Sequence, residues 1–251
     1  MPLLELQSIR KDFPGVRALD GVSFALESGE VHALCGENGA GKSTLIKVLC
    51  GYYPAGTYGG TMRLHGAEVR WRSLRDAEAH GIALIAQELA LVPELSVAEN
   101  VLLGRLPTER GLVHWSRVHT KARHALQRVG LEIDPQTPVR RLGIGQQQLV
   151  EIAKALAKDA VILVLDEPTA ALPEADASRL LRLLGELRAA GVSSLYVSHR
   201  LEEVFAIADR ITVLRDGQSV GTERRAATTP AEIIRLMVGR DVHGLYPRPD
   251  V

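Results

Sequence analysis

Apolar residues between Leu3 and about Glu30 alternate with polar ones in short runs, LLELQSI and VRALDGVSFAL, interrupted at Pro14-Gly15 and at Ser28-Gly29. A period of two broken by turn residues predicts strands, here joined into a small antiparallel sheet. EVHALCG (30–36) is mostly apolar and predicts a buried strand. A glycine-rich loop follows it, then STLIKVLC, which predicts a helix with Gly51 placed to cap its C-terminus. A further hairpin is predicted from Gly59-Gly60 through TMRLHG and EVRW.

Residues 88 to about 158 change period. Ser96 and Glu99 have the spacing of a capping box ahead of NVLLG, and 116–130 is a long amphipathic stretch, so this part reads as an inserted helical subdomain. Strand patterns return at VILVLD (161–166) and SLYVS (194–198), separated by the helical ASRLLRLLGELRAAG, which predicts a resumed parallel α/β sheet. RITVLRDGQSVG (210–221) turns at Asp216-Gly217 and predicts a hairpin. HGLYPRPDV has the weak pattern of a linker, and no internal repeat or low-complexity run is present.

A chain of 251 residues can bury a core that stands without metal or disulfide. Its 30 basic and 30 acidic residues cancel, so no general field draws it to nucleic acid or anionic lipid. Cys35 and Cys50 lack the paired spacing of a zinc or redox motif and read as reduced, buried fillers of a cytosolic protein. The N-terminal residues carry no charged-then-apolar export pattern, and no stretch has the length and apolarity of a spanning helix. Any role at a membrane is therefore expected to be peripheral.

The chemistry concentrates at two places. Gly36-Glu37-Asn38-Gly39-Ala40-Gly41-Lys42-Ser43 matches G-x-x-x-x-G-K-S/T between a predicted buried strand and a predicted helix, with Thr44 as the next candidate contact. The glycines let backbone N–H groups turn toward a polyphosphate, and the helix N-terminus adds its positive end. Lys42 can then reach the β- and γ-phosphates, and Ser43 can hold Mg2+. The second place is VILVLDEP, which sets Asp166 and Glu167 at the carboxyl end of an apolar strand, where α/β sheets bind ligands. One carboxylate can serve the metal and the next the water. Asp166 is assigned to the Mg2+ shell and Glu167 to orienting or deprotonating the attacking water.

Together these residues resemble the nucleotide-binding domains of ABC transporters, and the resemblance covers nearly the whole chain. It implies an α/β fold with a P-loop NTPase core and mostly parallel sheet, an antiparallel β-subdomain and an inserted helical subdomain. The single domain 1–251 then divides into a nucleotide-binding core (1–87 and 159–240), a helical and signature part (88–158) and a linker-like tail (241–251). Five further landmarks follow from the resemblance. Phe13 matches the aromatic that stacks on adenine, and Gln87 in IALIAQE matches the glutamine that senses Mg2+ and the γ-phosphate. LGIGQQQ (142–148) matches the signature loop, with Gly143, Gly145 and Gln146 as its nucleotide contacts. TAALP (169–173) matches the loop after the acidic strand, and His199 in YVSHR the histidine that holds the γ-phosphate.

Within the family, IGQQQ, EPTAALPE and SHRLEEVFAIADRITVLRDG are similar to the ribose, galactose and xylose type of import ATPase. That likeness implies ATP and Mg2+ as cofactors and membrane permease subunits as partners. It also implies a second ABC ATPase domain, in the same full-length chain or a second copy, and a periplasmic or lipid-anchored sugar-binding protein acting indirectly. The expected location is cytoplasmic, on the inner face of the cell membrane, and the chain is expected to be an N-terminal half of a tandem protein. Two departures stand out. Gly143 replaces a serine whose hydroxyl would bond the γ-phosphate of the opposite nucleotide, a contact of about 1.5–3 kcal/mol, against a few tenths if the serine mainly caps the helix. Pro173 stands where many relatives have aspartate. The alternative, an ABC ATPase acting on nucleic acid or ribosomes, usually adds a coiled-coil arm or basic linker, and neither is visible here. A P-loop switch or kinase is disfavoured because no N-K-x-D motif occurs, and a catalytically dead domain because Lys42, Asp166, Glu167 and His199 are all present.

Overall fold

A computed structural model describes residues 2–239, so the tail expected at 241–251 lies outside the described residues. The chain opens with β1 (Leu4–Phe13) and β2 (Val16–Leu26), a hairpin turning at Pro14-Gly15. β3 (Val31–Cys35) leads through the glycine-rich loop into α1 (Lys42–Leu49), followed by β4 (Gly59–Leu64), β5 (Ala67–Val69), α2 (Leu74–Ala79) and β6 (Ile82–Ile85). Next come α3 (Val97–Val101), a short pair β7 (Thr108–Glu109) and β8 (Leu112–Val113), α4 (Trp115–Arg128) and α5 (Ile144–Leu156). The remainder alternates: β9 (Ile162–Asp166), α6 (Glu174–Ala189), β10 (Ser193–Val197), α7 (Leu201–Ile207), β11 (Arg210–Arg215), β12 (Gln218–Arg224) and α8 (Pro230–Val238).

Two larger sheets result. The hairpins assemble antiparallel in the order β2-β1-β4-β5, while the other sheet runs β12-β11-β3-β10-β9-β6, parallel except for β12. Strands β3, β9 and β10 are buried on both faces, as parallel strands covered on two sides must be. Their alternation sorts side chains to opposite sides. Leu34, Val164, Leu195 and Val197 pack with α1 and the antiparallel sheet, whereas Ala33, Cys35, Leu163, Leu165 and Tyr196 join α3, α4, α5 and α6 in one continuous apolar cluster. A fully buried leucine such as Leu163 contributes about 1.5–3 kcal/mol. The order matters for function because β3, β10, β9 and β6 lie side by side and end on the same edge. The glycine-rich loop, Asp166, His199 and Gln87 all leave from those ends.

A buried polar cluster secures the other end of β3. Glu30 receives Arg210 Nε at 2.6 Å and Nη2 at 2.8 Å and the Glu27 N–H at 2.6 Å, beside His32 at 3.2 Å. Burial pushes the Glu30 carboxyl upward, but these partners outweigh it and hold the group at about 2. Its folded value lies below the unfolded one, so the contribution is present above the ordinary carboxylate range and lost as pH falls toward 2.

The predicted capping box forms, with Ser96 and Glu99 bonded reciprocally. Gly51, at φ +77°, follows the α1 C-cap in the left-handed conformation. Several features differ from the sequence reading, which also has no counterpart for α2, β6 and α7. The β7–β8 pair interrupts the helical segment, and two-residue strands carry no periodicity to read. Helix α8 has no counterpart in the predicted elements, although Thr229, Pro230 and Glu232 make a capping box with proline in the first turn, a legible start.

Candidate functional site

The loop between β3 and α1 is shaped by close approach. A side chain at Gly36 would strike the Leu214 carbonyl, and at Gly41, φ +103°, it would come within 2.7 Å of the Ala18 carbonyl. Glycine at these two points lets β11 and the first hairpin close over the loop. Lys42 opens α1 but is buried, with its ammonium turned back onto the carbonyls of Gly36 at 2.7 Å and Glu37 at 3.0 Å. The cation therefore closes the loop into a ring around the N-terminus of α1, whose first-turn N–H groups have no partner within the helix.

The loop faces a cavity of about 660 Å3. Asn38, Gly39, Gly41, Lys42, Ser43 and Thr44 of the loop and helix line it together with Gln87, Asp166 and Glu167. Gly36, Glu37 and Ala40 build the loop without lining the cavity. Asp166 ends β9, and its carboxyl is raised above the ordinary range by burial first and by the Glu167 charge second, against the lowering effect of Lys42 and Lys47. Because the folded value lies above the unfolded one, this ionised carboxylate costs stability above its own pKa, and the cost disappears as pH falls below the ordinary carboxylate range. A cation placed against Asp166 would offset that cost. Ser43, Gln87 and Asp166, all at the cavity wall, each carry a side-chain oxygen, the donor type that a hard divalent ion such as Mg2+ takes.

Glu167 adopts φ +48°, a left-handed conformation unusual for a residue with a side chain, and its N–H bonds the Val197 carbonyl at 2.9 Å. Thus the end of β9 is tied to the end of β10. His199, two residues beyond β10, places Nδ1 3.1 Å from Glu167 Oε1. His199 reaches the site through this carboxylate, with its own ring exposed.

Other expected contacts are elsewhere. Phe13 is not part of the cavity wall. Its ring meets Tyr53 edge-on at 5.6 Å and lies under the Lys11 ammonium at 5.1 Å, while Val16, Arg17 and Ala18 of the same hairpin line the cavity. The turn Asp216-Gly217 also lines it and has no place among the sequence-predicted site residues. Gly217 bonds Ala40 and receives the Asp20 N–H, contacts between segments far apart in sequence that a hairpin turn does not announce.

The signature loop does not join this cavity. Gly143 is the N-cap of α5, and its N–H donates to Gln146 Oε1 at 3.2 Å, so this side chain caps its own helix. The reciprocal half of that box is missing because Gly143 has no hydroxyl. Gly145 sits under the Asp176 carboxylate of α6, too close for any side chain. Pro173 is the N-cap of α6, with φ −57°, and its carbonyl accepts the Ala177 N–H. Cys35 and Cys50 are buried free thiols, with Cys35 pushed up to about 12 by burial. Among the described residues no helix is long and apolar enough to cross a membrane.

A parallel sheet that delivers a lysine-closed glycine loop, an acidic pair and a histidine to one edge has the architecture of a P-loop cassette. The ABC transporter family pattern matches residues 19–170, and the chain belongs to that family. It is 56% identical to the xylose import ATP-binding protein XylG of Moorella thermoacetica over 98% of this chain and 49% of that protein. It is 51% identical to the L-arabinose transport ATP-binding protein AraG of Geobacillus stearothermophilus over 98% of this chain and 48% of that protein. The chain thus spans about half the length of the curated relatives it matches. Its fold is similar to the ADP conformation of MJ1267, an ATP-binding cassette of an ABC transporter, with a TM-score of 0.81 and 27% identity over 96% of this chain and 100% of that one.

Proposed function

We propose that this chain is an ATP-binding and ATP-hydrolysing cassette that powers uptake of a monosaccharide through a separate membrane permease. The observation that carries the reading is the single cavity shared by Lys42, Ser43, Gln87, Asp166 and Glu167, with His199 held on Glu167. Lys42 and the α1 N-terminus receive the phosphates of ATP, and Phe13 is assigned to the adenine side. Ser43, Gln87 and Asp166 hold Mg2+, which when bound neutralises charge developing on the phosphate oxygens. Glu167 orients or deprotonates the attacking water, and His199 holds the γ-phosphate. The sugar class rests on relatives named for xylose and arabinose.

The exposed start of the signature loop, Gly143 and Ile144, supports a second cassette as partner: Gly143, Gly145 and Gln146 lie outside the cavity and would complete the site of another copy or of the other half of a longer chain. Permease subunits, and through them a sugar-binding protein, complete the assembly, with the cassette peripheral on the inner membrane face. The test is ATP turnover together with mass in solution of Glu167→Gln, with and without Mg-ATP. Wild type should hydrolyse ATP, whereas Glu167→Gln should retain ATP, pair only with Mg-ATP and turn over at least about a hundredfold more slowly. Full turnover by Glu167→Gln would remove that carboxylate from catalysis.

A further inference from the structure

Behind the Glu167–His199 pair lies a second carboxylate, Glu203, in the first turn of α7 and only 5% exposed. Its Oε2 accepts three hydroxyls: Thr169 at 2.7 Å, Tyr196 at 2.7 Å and Ser198 at 3.3 Å. Its Oε1 faces the Arg200 guanidinium as an ion pair. Ser198 Oγ also accepts the Arg200 N–H at 3.0 Å, closing the turn that carries His199. One oxygen thus gathers the loop after Glu167, through Thr169, and the loop before His199, through Ser198.

Burying an ionised carboxylate is costly unless it is fully partnered, and an apolar residue would satisfy the core with less expense. The helix dipole does not require it either, because Glu202, in the same turn, already supplies a carboxylate at that end. Burial, with the Glu203 carboxylate adding to it, keeps the Tyr196 phenol protonated, so it stays a donor. The arrangement suits a clamp on two loops better than a packing element.

We propose that Glu203 is a positioning residue for hydrolysis: through Thr169 and Ser198 it sets the approach of Glu167 to His199. The proposal rests on the ATPase reading above, since positioning two groups matters only if they act together. Small displacements of reacting groups cost large factors in rate while leaving binding intact.

The experiment compares wild type with Glu203→Gln, Tyr196→Phe and Thr169→Val for kcat, KM for ATP and thermal unfolding. It adds the ring-nitrogen NMR signals of His199, assigned with His199→Gln and recorded at one pH. Glu203→Gln should lower kcat about tenfold to a hundredfold with KM within about twofold, and should move the His199 signals as Glu167→Gln does. The two single-hydroxyl variants should show the same split at smaller size, and they carry the test should Glu203→Gln not fold. A change confined to thermal unfolding, with kcat per folded molecule unaltered, would overturn the proposal. So would unmoved His199 signals in folded variants, whatever the turnover. Wild type without any ATP turnover would instead sink the ATPase reading, and the NMR comparison would still judge the clamp.

Discussion

The phosphate loop and the signature loop are both glycine-bearing entries to a helix, yet the structure treats them oppositely. In the first, Lys42 is buried and bonded back to its own loop, the glycines are pressed by β11 and the first hairpin, and the wall facing a cavity is complete. In the second, Gly143 opens onto free space, Ile144 is 38% exposed, and no side chain caps the helix except Gln146 from within. A loop that closes on its own chain is finished by folding. A loop that ends in solvent has its helix N-terminus available to something outside the fold.

The sharpest way to break this contrast is Lys42→Ala. It removes the cation from the finished loop, and a charged hydrogen-bonding group there contributes about 1.5–3 kcal/mol per bond, so ATP affinity should fall at least about a hundredfold in a calorimetric titration. Affinity within a few-fold of wild type would mean that the backbone alone makes the site. Next in size is Gly145→Ala, where the new methyl overlaps the Asp176 carboxylate. Overpacking of this kind should cost about 1–3 kcal/mol in denaturant unfolding, and the double variant with Asp176→Ala should recover most of it. No loss on the single change would show that α5 and α6 separate freely. Smallest is Gly143→Ser, which fits the open space and the extended N-cap backbone, completing the box with Gln146. It should add a few tenths of a kcal/mol to stability. Mg-ATP-dependent pairing should strengthen by more than that in sedimentation; equal pairing would leave the hydroxyl as a cap and nothing else.

The difference between the loops also marks what was legible. G-x-x-x-x-G-K-S/T between a strand and a helix carries its own context: Asn38, Gly39, Gly41, Lys42, Ser43 and Thr44 line the cavity, while Gly36, Glu37 and Ala40 build the loop behind it. Asp166 and Glu167 were readable for the same reason, since a carboxylate pair after a buried strand must emerge at a sheet edge. Phe13 shows the limit: its place at the end of β1 was readable, but its packing against Tyr53, away from the cavity wall, depends on a residue forty positions later. Asp216-Gly217 shows the reverse, a turn that reads as punctuation and lines the same cavity as the glycine-rich loop.

Short-range patterns determined most of the longer strands, the capping box at Ser96 and the glycine-lysine loop before α1, because each depends on residues within a turn or one pleat of one another. Strand order, and with it everything that meets across strands, was decided only in three dimensions. No spacing in the sequence says that β3 lies between β10 and β11, that Asp176 covers Gly145, or that Glu203 gathers Thr169 and Ser198 behind the acidic pair. These are contacts between segments brought together by burial of apolar faces, a force that is non-directional and leaves the choice of neighbours to the packing of the whole chain.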